Sequence, residues 1–309
     1  MKGRRRLLWQ LGAAGVSSWI GPSLARAHAG PEGADAMTGD TQAGWQLVED
    51  SAEAYERYLV PAIFIEMAER LLDLAEVGNG QRVLDVGCGT GIVARRAAAR
   101  VGANGTLTGL DLNEGMLRVA RRVSQGLRPS IEWRQGDALA LPFADGSFDA
   151  VVCQQALQFF PDPEKGLREM RRVTAPGGCV AVAVLRSIRY SPPYGPLADA
   201  LERHAGKEAG AMMRSPFPAW DREAVKGLAG RAGLRDAHVR IVVGAVRYPS
   251  IIEMLRQEAA SSPLAGPLRA LPAGTRDVLV RELESSLAEF VDDAGIAFPL
   301  ETFVVRARV

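Results

Sequence analysis

Between residues 81 and 186 the apolar positions alternate between two patterns. Short, almost unbroken apolar runs at Arg82–Val86, Leu107–Leu112, Ile131–Gln135, Asp149–Cys153 and Cys179–Leu185 predict strands. The stretches near Ile92–Arg100, Glu114–Gln125 and Pro163–Val173 carry apolar residues at helical spacing instead. Strands that are apolar on both sides and alternate with helices predict a parallel sheet covered on both faces. Ligands of such sheets bind beyond the carboxyl ends of the strands.

The flanks read differently. Ser51 to Val77 places Tyr55, Tyr58, Leu59, Ile63, Phe64, Met67, Leu71, Leu72 and Leu74 at helical spacing, and Pro61 interrupts it, predicting two helices or one kinked helix. Tyr190 to Trp220 holds five prolines (Pro192, Pro193, Pro196, Pro216, Pro218) among Tyr194, Met212, Met213 and Phe217. Such an insertion at the carboxyl edge of the sheet predicts a cap over a binding site. Further on, Asp221–Ala232 reads as a helix closed by Gly233 and Val239–Tyr248 as a strand. Ser250 with Glu253 has the spacing of a capping box, Thr275–Val291 reads as a helix and Glu301–Val309 as a final strand.

The amino terminus stands apart. Met1–Arg6 is basic, Leu7–Ile20 is apolar apart from Gln10, Ser17 and Ser18, and Ala25-Arg26-Ala27 offers a small-residue cleavage site. The apolar run is shorter than the ~20 residues a spanning helix needs. Arg4-Arg5 ahead of Leu7-Leu8 resembles a twin-arginine export signal. The other reading is a start at Met37. Residues 1–36 are thus expected to be a leader, or to precede the true start, and 30–44 reads as a small, polar linker.

Composition narrows the function. The 309 residues are 47% hydrophobic and 24% charged, which excludes a disordered chain. The net charge is +1, and the leader's five basic residues, without an acid, leave −4 over residues 30–309. A mildly acidic domain has no footprint for nucleic acid. Cys88, Cys153 and Cys179 are too far apart for a zinc spacing or a disulfide framework, so no metal is expected.

The most specific pattern is Val83-Leu84-Asp85-Val86-Gly87-Cys88-Gly89-Thr90-Gly91, a strand running into alternate glycines and then a helix. Glycines there let backbone approach a ligand more closely than a Cβ allows. A dinucleotide site wants G-x-G-x-x-G, but its last position is Ile92 here. The run resembles the first motif of the class I S-adenosylmethionine-dependent methyltransferases. So do Gly109-Leu110-Asp111-Leu112, Gly136-Asp137-Ala138, Ser147–Val152 and Arg171–Gly178, which follow in the family's order over about 105 residues. The nearest similarity is to the ubiquinone/menaquinone-biosynthesis group, also called methyltransferase type 11.

The resemblance implies a Rossmann-like, mostly parallel seven-stranded sheet with its last strand antiparallel, helices on both faces and a cap insertion. It implies one domain over 45–309, with a cofactor core at 81–186, the cap at about 187–220 and C-terminal strands and helices at 221–309. It implies S-adenosylmethionine held by Asp85 near the methionine end, by Gly87, Cys88 and Gly89 through backbone, by Asp111 and Leu112 at the ribose, by Asp137 and Ala138 at the adenine, and by Gln154. A carboxylate such as Asp111 can take both hydroxyls of a ribose. Asp85 has a second reading, as a cap on the following turn.

The expected reaction is in-line methyl transfer to a small, apolar or aromatic acceptor in the cytoplasm, with export as the alternative compartment. Gln158, Phe159, Tyr58 and Tyr194 are expected on the acceptor side. No base is evident, and of three histidines His204 is the one beside the cap. The absence of a base leaves open a non-catalytic S-adenosylmethionine binder, and a nicotinamide-dependent oxidoreductase is the third reading.

Overall fold

A computed structural model describes residues 49–309 apart from Arg235, so the leader and linker lie outside the described residues. Helix α1 (Glu49–Ala54) runs into a π-helical segment (Tyr55–Phe64) and then α2 (Ile65–Leu74). The expected break at Pro61 is therefore absorbed within one continuous helical run. Pro61 has no N–H to give, and the wider π turn contains it.

The core then alternates as the apolar runs predict: β1 (Arg82–Val86), α3 (Ile92–Val101), β2 (Thr106–Asp111), α4 (Glu114–Val123), β3 (Ile131–Gln135), β4 (Phe148–Gln154), α5 (Pro163–Val173) and β5 (Thr174–Leu185). Short side chains stop and start these elements. Asn113 accepts from Gly115 N and Met116 N to open α4, and Asp162 accepts from Lys165 N to open α5, with Pro163 in the first turn.

The insertion after β5 is helical, with α6 (Tyr194–Ala205) and α7 (Lys207–Arg214). Two of its five prolines mark a helix start: Pro193 is the N-cap residue of α6 and Pro196 lies in its first turn. The remainder is α8 (Arg222–Arg231), β6 (His238–Tyr248), α9 (Ile251–Ala260), α10 (Ala265–Ala270), α11 (Ala273–Ser286), β7 (Val291–Asp292) and β8 (Gly295–Arg308). The helix expected to reach Val291 ends at Ser286, and the last strand starts six residues earlier than its sequence suggested.

The sheet order is β3-β2-β1-β4-β5-β8-β6, with the two-residue β7 paired to β8. Strands β1 to β5 pair in parallel, and β8 runs antiparallel to both β5 and β6. This is the Rossmann-like class I arrangement, and β1 and β4 lie side by side in its middle. One apolar cluster fills one face of the sheet through Leu84, Val151, Met170 and Val182. A second fills the other through Leu71, Val83, Ala97 and Ala181. A third unites α6, α7, α9 and α11 with the first half of β8 through Leu197, Leu201, Met254, Leu283 and Phe298. Among the described residues, no helix is long and apolar enough to cross a membrane.

Candidate active site

The turn after β1 is built by three glycines with three different duties. All are in the left-handed region, at φ 66° for Gly87, 55° for Gly89 and 82° for Gly91. An added Cβ at Gly87 would stand 2.5 Å from the Ala156 Cβ, so this residue lets the β4 turn press against the loop. At Gly91 the Cβ would lie 2.1 Å from the Trp133 ring, so this glycine receives an indole from β3. Only Gly89 faces room, where the nearest atoms to such a Cβ are those of the Tyr55 ring at 3.9 Å. Gly89 is thus the position at which backbone is bare toward a ligand.

Two carboxylates from neighbouring strand ends flank it. Asp85 is 1% exposed. Its Oδ2 accepts from Ala94 N at 3.1 Å, capping the first turn of α3, while its Oδ1 is buried with no partner. The capping reading of Asp85 is thus met by Oδ2, while Oδ1 stays available. Burial, with the Asp111 charge adding to it against the Ala94 hydrogen bond, pushes its carboxyl up to about 7. Asp111 closes β2 half-buried. Its Oδ2 accepts from Gly89 N at 2.7 Å and its Oδ1 from Asn113 N at 2.9 Å. Burial pushes this carboxyl up too, opposed by those amides. Thr90 Oγ1 is a further buried atom without a partner. Buried polar groups are nearly always paired, so unpaired ones beside a bare glycine mark a place for a polar ligand.

The remaining residues expected at the cofactor follow the ends of β1, β2, β3 and β4. Leu112 is 57% exposed beside Asp111, an apolar surface open to a flat ring. Ala138 is buried, and Asp137 is exposed with its Oδ1 accepting from Leu139 N at 2.8 Å. Cys88 is buried with its sulfur toward Gly109, and burial near Asp111 and Asp85 pushes its thiol up, so it stays protonated. Cys153 is likewise pushed up, to about 12, by burial. Gln154 donates from Nε2 to Phe64 O at 3.0 Å, which leaves its Oε1 buried and unpaired.

The π-helical segment roofs this edge. Tyr55 lies against Gly89 and stacks on Phe64 with 5.1 Å between ring centroids. Burial and the charges of Asp111, Glu56 and Asp85 push its phenol well up, so it remains an O–H. Next to it, Arg95 Nη2 of α3 donates to both Glu56 carboxylate oxygens at 2.8 Å, tying the roof to α3.

The expected acceptor residues are more scattered. Gln158 and Phe159 follow β4 on the loop side, and Phe159 is 39% exposed. Tyr58 is half-buried with the Arg256 guanidinium over its ring at 4.9 Å. Tyr194 is buried, and its hydroxyl donates to Glu258 at 2.8 Å within the α6–α9 cluster. His204 faces α11, where its Nε2 meets Glu282 Oε2 at 2.8 Å. That nitrogen has a structural partner, so the structure gives it no free position at the glycine loop. Tyr55 is the tyrosine, of those at helical spacing in the first helical run, that meets the loop, whereas Gln155 and Thr302 come together only through tertiary pairing. Thr302 meets Gln155 across 147 positions, and no local pattern announces such a pair.

A methyltransferase-domain family profile matches residues 83–178. The demethylmenaquinone methyltransferase of Desulfitobacterium hafniense is 43% identical over 114 residues, 36% of this chain and 45% of that one. That of Staphylococcus epidermidis is 32% identical over 188 residues, 58% of this chain and 78% of that one. The chain thus spans less than half of the first relative and most of the second. Among solved structures, the phosphoethanolamine N-methyltransferase 2 of Haemonchus contortus, determined with S-adenosylmethionine, shares the fold. Its TM-score is 0.54 at 22% identity, covering 84% of this chain and 57% of that one. The chain belongs to the class I S-adenosylmethionine-dependent methyltransferases, close to the quinone-biosynthesis group.

Proposed function

We propose that the chain transfers a methyl group from S-adenosylmethionine to a small, apolar or aromatic acceptor. The observation that carries this reading is the pairing of Asp111 with Gly89 N beside the unpartnered Asp85 Oδ1, where all three groups of the family's first two motifs converge. The residues present fit the donor. Asp111, at the end of β2, is suited to a ribose diol, and the exposed Leu112 beside it offers apolar surface to an adenine. Asp85 Oδ1 and Gln154 Oε1 are acceptors without donors, suited to the ammonium of the methionine end.

When bound, the donor supplies an electrophilic methyl on a sulfonium. The chain's contribution is to hold the acceptor in line and to exclude water, which is worth most where the leaving group is already good. Tyr55, whose ring lies against Gly89, serves that exclusion. The similar demethylmenaquinone and 2-phytyl-1,4-naphthoquinone methyltransferases are named for quinone acceptors, which favours a flat apolar acceptor here. The chain's compartment is the cytoplasm, where the donor is supplied, and mass spectrometry of the native amino terminus checks this by distinguishing Met1, a start near Gly30 and Met37.

The test is calorimetry with S-adenosylhomocysteine. The full chain is expected to bind it one to one. Asp111→Ala, which removes an ionic acceptor worth roughly 1.5–3 kcal/mol, is expected to weaken binding by about ten- to a hundredfold. Binding of NAD in its place would overturn the proposal.

A further inference from the structure

The turn after β4 is held more firmly than a connection needs to be. Gln155 has a φ of 54°, a left-handed conformation that costs a residue with a side chain about 1 kcal/mol or more. It is pinned on both its backbone and its side chain. Its N–H donates to Ala183 O at 2.8 Å, and its Nε2 donates to Thr302 Oγ1 at 3.1 Å. Thr302 is fully buried on β8, opposite Leu185 of β5. The other end of the same amide, Gln155 Oε1, accepts from Gln158 Nε2 at 3.4 Å. Three side chains thus form a line along the carboxyl ends of the strands, from buried Thr302 on β8 to the turn after β4. Its last atom, Gln158 Oε1, is covered and has no partner.

The line also settles what that atom can do. With Nε2 committed to Gln155, Gln158 presents an oxygen that only accepts. The turn carrying it is pressed on the glycine loop through Ala156 and Gly87. Residues 154–160 contain no acid, while Phe159 and Phe160 supply rings. An uncharged acceptor atom on a turn that also carries two rings suits a neutral hydroxylated aromatic better than a cation. Leaving a covered acceptor unmade costs about 1–3 kcal/mol, so a site of this kind rejects ligands lacking the donor.

Building on the methyl-transfer reading, we infer that Thr302 and Gln155 are positioning residues that aim Gln158 Oε1 at a hydroxyl of the methyl acceptor. Gln158 is then the residue by which the site selects a free hydroxyl over a capped one.

The test uses the full chain saturated with S-adenosylhomocysteine and two matched probe pairs: 1-naphthol with 1-methoxynaphthalene, and hydroquinone with 1,4-dimethoxybenzene. Calorimetry is expected to give at least tenfold tighter binding for the hydroxylated member. Gln158→Leu is expected to erase that ratio, Thr302→Val to reduce it severalfold, and Thr302→Ser to keep it. A side chain that served packing alone would not move the ratio. S-adenosylhomocysteine affinity on the same samples reports whether each variant is folded. Equal binding of both members, binding of neither, or a ratio that survives Gln158→Leu overturns the inference. Failure of the wild-type chain to bind S-adenosylhomocysteine is a separate result, and it brings down the methyl-transfer reading together with this one.

Discussion

Asp85→Asn separates the two duties of Asp85, because an amide oxygen can still cap Ala94 N but cannot carry charge. The wild-type carboxyl sits at about 7 against an ordinary 3.8. The folded chain therefore keeps this proton in a range where the unfolded chain has lost it. Stability falls as pH rises from about 4 to about 7 and is level above, by linkage. Three pKa units correspond to about 4 kcal/mol, an upper figure of order-of-magnitude quality. The variant should thus be more stable than wild type at pH 8, by up to about 10 °C in melting temperature for a domain of this size. The gap should close by pH 4 to 5.

Asp111 and Glu258 are also pushed up by burial, so the quantity to read is the difference between the two proteins. Binding should run the other way. Wild-type affinity for S-adenosylhomocysteine is expected to rise about tenfold from pH 6 to pH 8 as Asp85 ionises, whereas the variant should bind about ten- to a hundredfold more weakly at pH 8, with a flat profile. Scanning calorimetry and titration calorimetry measure the two halves. Unchanged affinity in the variant refutes the methionine-end assignment, and an unchanged melting temperature at pH 8 refutes the burial argument.

Other substitutions probe the frame. Gly91→Ala puts a Cβ 2.1 Å from the Trp133 ring at a positive φ, and urea unfolding should show a loss of about 3 kcal/mol with altered tryptophan fluorescence. His204→Ala removes a partly exposed pair with Glu282, so it should cost about 1 kcal/mol or less and leave turnover unchanged once an acceptor is in hand. A fall of more than tenfold in turnover would make His204 a participant in the chemistry.

The parts of the fold that could be read from sequence are those where one physical rule dominates. β1 and β4 are buried on both faces, so Val83–Val86, broken only by Asp85, and Ala150–Cys153 read as strands, within a residue of the observed limits. Ser250 does cap α9 through Glu253 N at 3.1 Å, as its spacing suggested. The reciprocal half of the capping box is absent because the Glu253 carboxylate pairs with Arg256 instead. The insertion after β5 was harder, since proline breaks a helix interior but suits a helix start, and composition alone does not say which. β8 was legible only in the half that pairs with β5. Its first half, through Pro299, is a strand because β6 lies beside it.

The site shows the same division. Asp85, Gly89 and Asp111 stand at fixed offsets from strand ends, so their convergence follows once the sheet forms. The glycines looked alike in sequence, and only the positions of Ala156 and Trp133 assign two of them to packing. Tyr55 over Gly89 and Thr302 against Gln155 are set by long-range packing that leaves no periodic trace. The acceptor side was the least legible. Tyr194 satisfies the rule for a buried tyrosine by donating to Glu258, and that partner lies 64 residues away.

The most direct measurement is a crystal structure of the chain with S-adenosylhomocysteine. The ribose is expected on Asp111, the adenine against Leu112, and the ammonium on Asp85 Oδ1 and Gln154 Oε1, with the sulfur turned toward Gln158. A ligand bound away from Gly89, or a loop that stays empty at saturating S-adenosylhomocysteine, would contradict it.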